Sequence, residues 1–425
     1  MYKKISFFLI TFLLTTMITG CGKQTLLNDS YAIVYENGTP YLINEVEDKY
    51  SLAKYDYIVN DFNDYITVGK NKNGKLLYGF IKKNGQEVIK PKYLWASVMR
   101  EEKAVVTTTK GQQIINAAGK VIYKFKDGTS SSSYFSDNYL LVEIDNKVTF
   151  LNSNFELLDL TFDYATPFQN GYACVGVFEN NQMKYGYLRS DGTLLETPNG
   201  EFPFDFVDNF NMGLARVGYL NMSPAKEPTP GVDNYLFNYL KEDGSLLLDD
   251  NKIILNEKSY ILEYAQNFSP DGVALVGFYQ MIKESTSAPL KPYIQYYFLN
   301  SNGKIASERI NSGGMIGDLY FPGMLVGGTF RCRYRAMGAG AWKMYTATYN
   351  EDTDIYRIDV LEDTDLSNNP DLSNTPPTEM TNFRFSEYYS EDVSLAKIRI
   401  SSGYYGLINS SGSLVLSVKY DKIIY

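Results

Sequence analysis

The sequence predicts an all-β protein built from short repeated units. Three observations support this. Hairpin-type turns recur along the chain, apolar residues alternate between them, and no long amphipathic helical window follows the first twenty residues. The chain has 425 residues, of which 44% are hydrophobic and 15% aromatic. That apolar content suits a packed protein, and the length can bury a large core or several smaller ones.

The N-terminal element is a leader. Lys3 and Lys4 precede a short apolar stretch, Ile5 to Ile18, too short to span a bilayer comfortably. Ile18-Thr19-Gly20-Cys21 then resembles the bacterial lipobox. The resemblance implies cleavage before Cys21, acyl chains on that residue, and a mature chain held on a bacterial membrane outside the cytoplasm. Two or more acyl chains anchor stably where one is marginal. The expected organisation is therefore a signal peptide over 1–20, a tether over 21–30 and a β-repeat domain over 31–425. Removing residues 1–20 takes away two lysines and no acid, so the formal charge of −9 becomes more negative by two. An acidic ectodomain argues against nucleic acid as a partner.

Each repeat has four strands, lettered here in chain order. Strand A reads apolar-Ala-x-Val, as in Tyr172-Ala173-Cys174-Val175, Leu214-Ala215-Arg216-Val217 and Val273-Ala274-Leu275-Val276. Strand B opens on an aromatic and ends at a polar turn. Examples are Tyr78-Gly79-Phe80-Ile81 before Asn84-Gly85, Tyr185-Gly186-Tyr187-Leu188 before Asp191-Gly192, and Phe237-Asn238-Tyr239-Leu240 before Asp243-Gly244. Further copies are Tyr297-Phe298-Leu299 before Asn302-Gly303 and Tyr405-Gly406-Leu407-Ile408 before Ser411-Gly412. Asn-Gly, Asp-Gly and Ser-Gly tolerate the positive φ of tight hairpins. Strand C follows the turn, as in Val88-Ile89-Lys90-Pro91-Lys92-Tyr93, and strand D is Tyr-Asp-like, as in Tyr420-Asp421. Starts fall near 31, 65, 103, 139, 171, 213, 272, 324 and 393, which makes eight or nine units.

These residues resemble the bacterial WG-repeat family, with Tyr-Gly standing where that family has Trp-Gly. The family is defined by repeats, so the resemblance implies no active site. The mature chain starts like strand A and stops like strand D, an arrangement that closes a ring without an exposed edge. A β-propeller is therefore the expected architecture, with an open β-solenoid as the alternative.

Insertions are expected to share one end of the units. Between strands A and B lie 220–234, 281–293 and 332–341; between C and D lie 197–203 and the acidic 362–381. Insertions on one side of a repeat array often form its binding side. Arg331, Arg333, Tyr334 and Arg335, with Trp342 and Lys343 across a hairpin, form the candidate binding set, because arginine forks beside aromatics suit carboxylate, phosphate, glycan or peptide. An exposed strand neutralised by neighbouring acids is the plainer reading. Asp363, Asp365 and Asp371 are spaced like calcium ligands but lack the Gly and Glu of such a loop. A solvated acidic loop is expected there.

The chain contains no histidine, which excludes Ser-His-Asp and Cys-His catalysis and His-ligated metals. Ser51-Leu52-Ala53-Lys54, Ser394-Leu395-Ala396-Lys397 and Ser136-Asp137-Asn138 match fragments of penicilloyl-serine chemistry, but no Lys-Thr-Gly accompanies them. No catalytic residue, metal or cofactor is assigned. Cys174 and Cys332 could form one disulfide, although a small buried strand residue is the favoured reading of Cys174. The expected role is a membrane-anchored, non-catalytic binding or assembly scaffold for protein, peptide or glycan of the cell envelope. The alternative is a carboxylate-dependent carbohydrate-active enzyme.

Overall fold

The computed structural model describes residues 32–310 apart from 44–48, 60–63, 222–234, 270, 283–288 and 290. Beyond 310 it describes the strands of two further sheets and short stretches beside them. Among the described residues the fold is all-β, with one 3-10 turn at Asp249–Asn251. Nine antiparallel sheets of three or four strands follow one another along the chain, with one extra two-stranded hairpin. Their A strands begin at Ala32, Tyr65, Lys103, Tyr139, Tyr172, Leu214, Val273, Thr329 and Leu395. Nine units are thus present, close to the positions the repeats predict.

The sheet is offset by one strand from the sequence unit. In the second sheet the order is Tyr57–Val59, Tyr65–Lys72, Lys75–Lys82, Glu87–Tyr93, so strand D of one unit hydrogen-bonds to strand A of the next. The same offset joins the ends of the chain. Strand D at Lys422–Ile424 pairs with strand A at Ala32–Glu36, Ile33 opposite Ile424 and Tyr35 opposite Lys422. An open solenoid would leave that first A strand unpaired, so the array closes as a β-propeller does.

Side-chain alternation makes the interfaces between sheets. In strand A, Ala173 and Val175 join Phe150, Phe162 and Phe168 against the preceding sheet, while Cys174 joins Tyr187, Phe204 and Phe210 against the following one. Successive residues of a strand face opposite ways, so both faces of this strand are buried. Hydrophobic clusters of this kind bridge each pair of sheets from the first to the eighth. Another joins the ninth to the first through Leu407, Leu416, Tyr420, Ala32, Val34 and Ile43. The aromatic-rich composition therefore packs sheet against sheet.

One aromatic device recurs that the repeat patterns do not reveal. Strand A carries Gly69, Gly176, Gly218 and Gly277, each flanked by one aromatic from strand D and one from strand B. The rings meet edge to face over the glycine: Tyr57–Tyr78 at 5.9 Å, Tyr164–Tyr185 at 5.6 Å, Phe206–Phe237 at 5.9 Å and Tyr264–Tyr296 at 5.3 Å. Such a pair contributes about 0.5–1.5 kcal/mol beyond its buried area. A side chain on strand A would occupy the space the rings share, since a Cβ at Gly69 would lie 3.0 Å from Tyr57 Cβ.

The Tyr-Asp corner links one sheet to the next. Tyr55, Phe162, Phe204 and Tyr420 are buried between sheets, and the aspartate after each begins strand D. Asp56, Asp163, Asp205 and Asp421 donate their backbone N–H to Gly69, Gly176, Gly218 and Tyr35 at 2.7–2.9 Å. Their carboxylates accept N–H bonds from Asn71, Phe178, Leu220 and Gly38 near the end of the same strand A. The corner is a single residue where the repeat is regular. The insertion at 197–203 does not lie between strands C and D, as its length suggests. It is part of strand C, which leaves the sheet after Leu195 and rejoins it at Phe204. In the sixth sheet, strand C leaves after Leu247 and rejoins at Leu262, and the extra hairpin Lys252–Leu255/Lys258–Ile261 lies between.

Asp163 also pairs with Lys147 from strand B of the preceding sheet at 2.5 Å, and Asp205 pairs likewise with Lys184. The Lys147 ammonium and the Phe178 N–H hold the Asp163 carboxyl below its usual range. A lowered carboxylate pKa adds stability above the unfolded-state value, and that stability is lost as pH falls through the lowered one. Asp163→Asn should therefore melt below the parent at pH 7, with the gap closing once the pH drops below about 3. A gap in melting temperature that stays constant from pH 7 to pH 2 would contradict this role.

Candidate binding end and the polar network behind it

Antiparallel order sorts the connections by end. Strand A runs toward the A–B turns, so Glu36 pairs with Thr39 there, while Ala32 pairs with Ile43 at the other end with the B–C and D–A turns. At the A–B end of the sixth, seventh and eighth sheets the strands stop at Leu220 and Tyr235, at Ile282 and Lys291, and at Tyr334 and Ala341. Three consecutive sheets thus carry their long A–B connections at one end. In the seventh sheet the strands run further than expected: Met281 pairs with Pro292 and Ile282 with Lys291, which confines the connection to 283–290. Large apolar side chains are exposed beside these connections, Phe178 at 57%, Leu220 at 43% and Met281 at 60%.

Arg331, Arg333 and Tyr334 lie in strand A of the eighth sheet. The register sets Arg333 opposite Trp342 and Cys332 opposite Lys343. By strand alternation, positions 331, 333 and 342 fall on one face of the pair and 332, 334 and 343 on the other. The side chains of this hairpin, together with Arg335, lie outside the described residues, as do Cys21 and the loop of Asp363, Asp365 and Asp371. Among the described residues no group of three or more His, Cys, Asp or Glu side chains is placed to hold a metal ion.

The opposite end of the fifth to seventh sheets holds a polar network. Arg216, on strand A, donates through Nη2 and Nε to Asp208 Oδ2 at 2.6 and 2.7 Å and through Nη1 to the Ala265 carbonyl. Its guanidinium lies 4.8 Å from the Phe206 ring centroid and 5.4 Å from that of Phe237, within cation–π range. Tyr187 donates to the Asp208 carbonyl at 2.7 Å and Tyr239 to the Gln266 carbonyl at 2.6 Å, each reaching into the next sheet. Burial pushes both phenols above their ordinary pKa, which favours the neutral donor form. A carboxylate, an arginine and two tyrosines thus come together as a carbohydrate-active site would need. Both hydroxyls and the guanidinium are committed to the protein itself, however, and the geometry braces neighbouring sheets.

Cys174 is a free thiol, buried, with Sγ 3.4 Å from Asn209 Oδ1. Burial pushes the thiol up to about 12, so at neutral pH it is protonated and a poor nucleophile. It lies in the fifth sheet and Cys332 in the eighth, an arrangement that does not pair them. In a Cys332→Ser background, a soluble disulfide reagent at pH 7.5 should leave Cys174 unmodified in the native protein and modify it fully in denaturant. Rapid native labelling would contradict this burial.

Ser51-Leu52-Ala53-Lys54 does not lie wholly within a strand. Ser51 ends one, and its hydroxyl accepts the Ala53 N–H at 3.3 Å in the following turn.

Three segments, 78–108, 156–177 and 405–425, match the WG containing repeat. Each spans a passage through strand C and the corner into strand D, and the first two continue into strand A of the next sheet. The chain therefore carries this repeat in the second, fourth and ninth units and the strands that follow them. No curated protein matches the chain. Among solved structures it is similar to Hsv2 of Kluyveromyces lactis, at 10% identity over 70% of this chain and 94% of that one, with a TM-score of 0.33. Hsv2 of Kluyvelomyces marxianus gives 9% identity over 70% and 94%, at 0.34. A eukaryotic initiation factor gives 8% over 78% and 96%, at 0.33.

Proposed function

We propose that this chain is a bacterial lipoprotein, anchored through Cys21 and facing outside the cytoplasm, that acts as a non-catalytic binding or assembly scaffold. The observation that carries the reading is that long A–B connections leave three consecutive sheets at one end of a β-repeat ring. Rigid strands fix where those connections start and stop, which is how a scaffold presents variable segments to a partner. The exposed Phe178, Leu220 and Met281 beside them add apolar contact area. Arg331, Arg333, Tyr334, Arg335, Trp342 and Lys343 belong to one of these connections and its flanking strands, and they suit a protein, peptide or glycan of the cell envelope.

Replacing 222–234 and 283–290 by short Gly-Ser turns tests the binding end. Capture of native envelope material by the immobilised protein should be lost while the melting temperature stays near the parent value; undiminished capture would refute the assignment. Cys21→Ser tests the anchor, since fatty-acid incorporation should disappear in that variant.

A further inference from the structure

We infer that the ring stands on its membrane with the B–C and D–A turns toward the bilayer and the long A–B connections pointing away from it. The inference rests on the proposed acylation of Cys21 and goes beyond it by fixing an orientation. Ala32 opens strand A at the B–C end, where it pairs with Ile43, and the last strand returns to the same end with Ile424 opposite Ile33. Between Cys21 and Ala32 lie residues 22–31. A flexible chain of that length has an r.m.s. span of about 17 Å and a fully extended reach of about 35 Å.

Strands such as Val273–Ile282 contain 10 residues, so the ring is about 33 Å tall at 3.3 Å per residue. Turning the long connections onto the bilayer would require the tether to run the whole height of the ring at near-full extension. Holding the B–C end on the bilayer requires no stretching. Entropy of the tether therefore selects the orientation.

Headgroup attraction does not compete with this bias. The turns at the B–C end mix Lys82, Lys83 and Lys120 with Asp191, Glu242 and Asp243, so neither sign dominates and adsorption to anionic lipid is weak. The long connections consequently face material beyond the anchoring membrane. Their partner is a soluble or wall-borne component of the envelope, and the lipid that holds the anchor is not what they bind.

The test uses the full acylated protein in vesicles containing a headgroup nitroxide lipid. In a Cys332→Ser background, one fluorophore is placed at Lys120→Cys or Lys304→Cys, in B–C turns, or at Lys75→Cys or Lys110→Cys, beside A–B turns. Labels at 120 and 304 should be strongly quenched and labels at 75 and 110 several-fold less, with the same ranking at high salt. Equal or reversed quenching, in protein that floats with the vesicles only when Cys21 is present, overturns the orientation and leaves the anchor standing. Flotation of Cys21→Ser equal to that of the parent overturns the anchor, and the orientation with it.

Discussion

Deleting residues 421–425 should open the ring. The deletion removes Ile423, which is 1% exposed, and the pairing of Lys422–Ile424 with Ile33, Val34 and Tyr35. It also removes both hydrogen bonds of the Asp421 corner, to Tyr35 and from Gly38. Burying one isoleucine is worth roughly 1.5–3 kcal/mol and each hydrogen bond about 1 kcal/mol, so the expected loss is about 4–6 kcal/mol. Strand Ala32–Glu36 then becomes a bare edge ready to pair with another chain. The shortened protein should unfold at lower denaturant and associate as its concentration rises, read by denaturant titration and sedimentation. A monomer with the parent midpoint would show that the contact between the ends does not hold the ring.

Gly186→Ala and Gly79→Ala should each cost more than glycine replacements normally do, about 2–3 kcal/mol or more of stability. The second residue of the repeat's Tyr-Gly pair is glycine because strand C crosses it. In the second sheet Phe80 pairs with Ile89 and Tyr78 with Tyr93, so residues 90–92 bulge opposite Gly79. A Cβ at Gly79 would lie 2.3 Å from the Ile89 carbonyl oxygen, and one at Gly186 would lie 2.0 Å from that of Glu201. Both contacts are with backbone, which cannot swing aside as a side chain would. The ninth sheet repeats the bulge opposite Gly406. The sixth has Asn238 at this place, fully buried, donating to the Leu248 carbonyl and accepting the Leu248 N–H to fasten the departing strand. Melting temperatures of the two variants test the argument; parent-like values would mean the bulge can shift away from a methyl group.

The repeat count and the strand starts were legible because alternation and turn residues act locally, so each unit announces itself within about forty residues. Ring closure was legible for a related reason. Tyr420-Asp421 carries the same corner signal as Tyr55-Asp56, and a terminal half-unit needs a partner. Three features were not legible. The glycine of strand A looks like an ordinary flexible position until Tyr164 and Tyr185 are brought together over Gly176. Thr197 to Pro203 looks like a connection between strands until Leu195 and Phe204 are found on the same strand. Arg216 and Asp208 are eight positions apart with nothing in their spacing to mark an ion pair, and Ala265, Phe206 and Phe237 join them only through the stacking of sheets.

By itself, then, the sequence determined the all-β class, the nine units, the interior role of the aromatics and the absence of histidine chemistry, because these follow from periodicity and composition. Tertiary structure decided which sheet each strand D belongs to, why Gly79 and Gly186 cannot bear a side chain, that Cys174 is free, and which end carries the long connections. Those properties depend on contacts between residues tens of positions apart, and sequence spacing does not encode such distances.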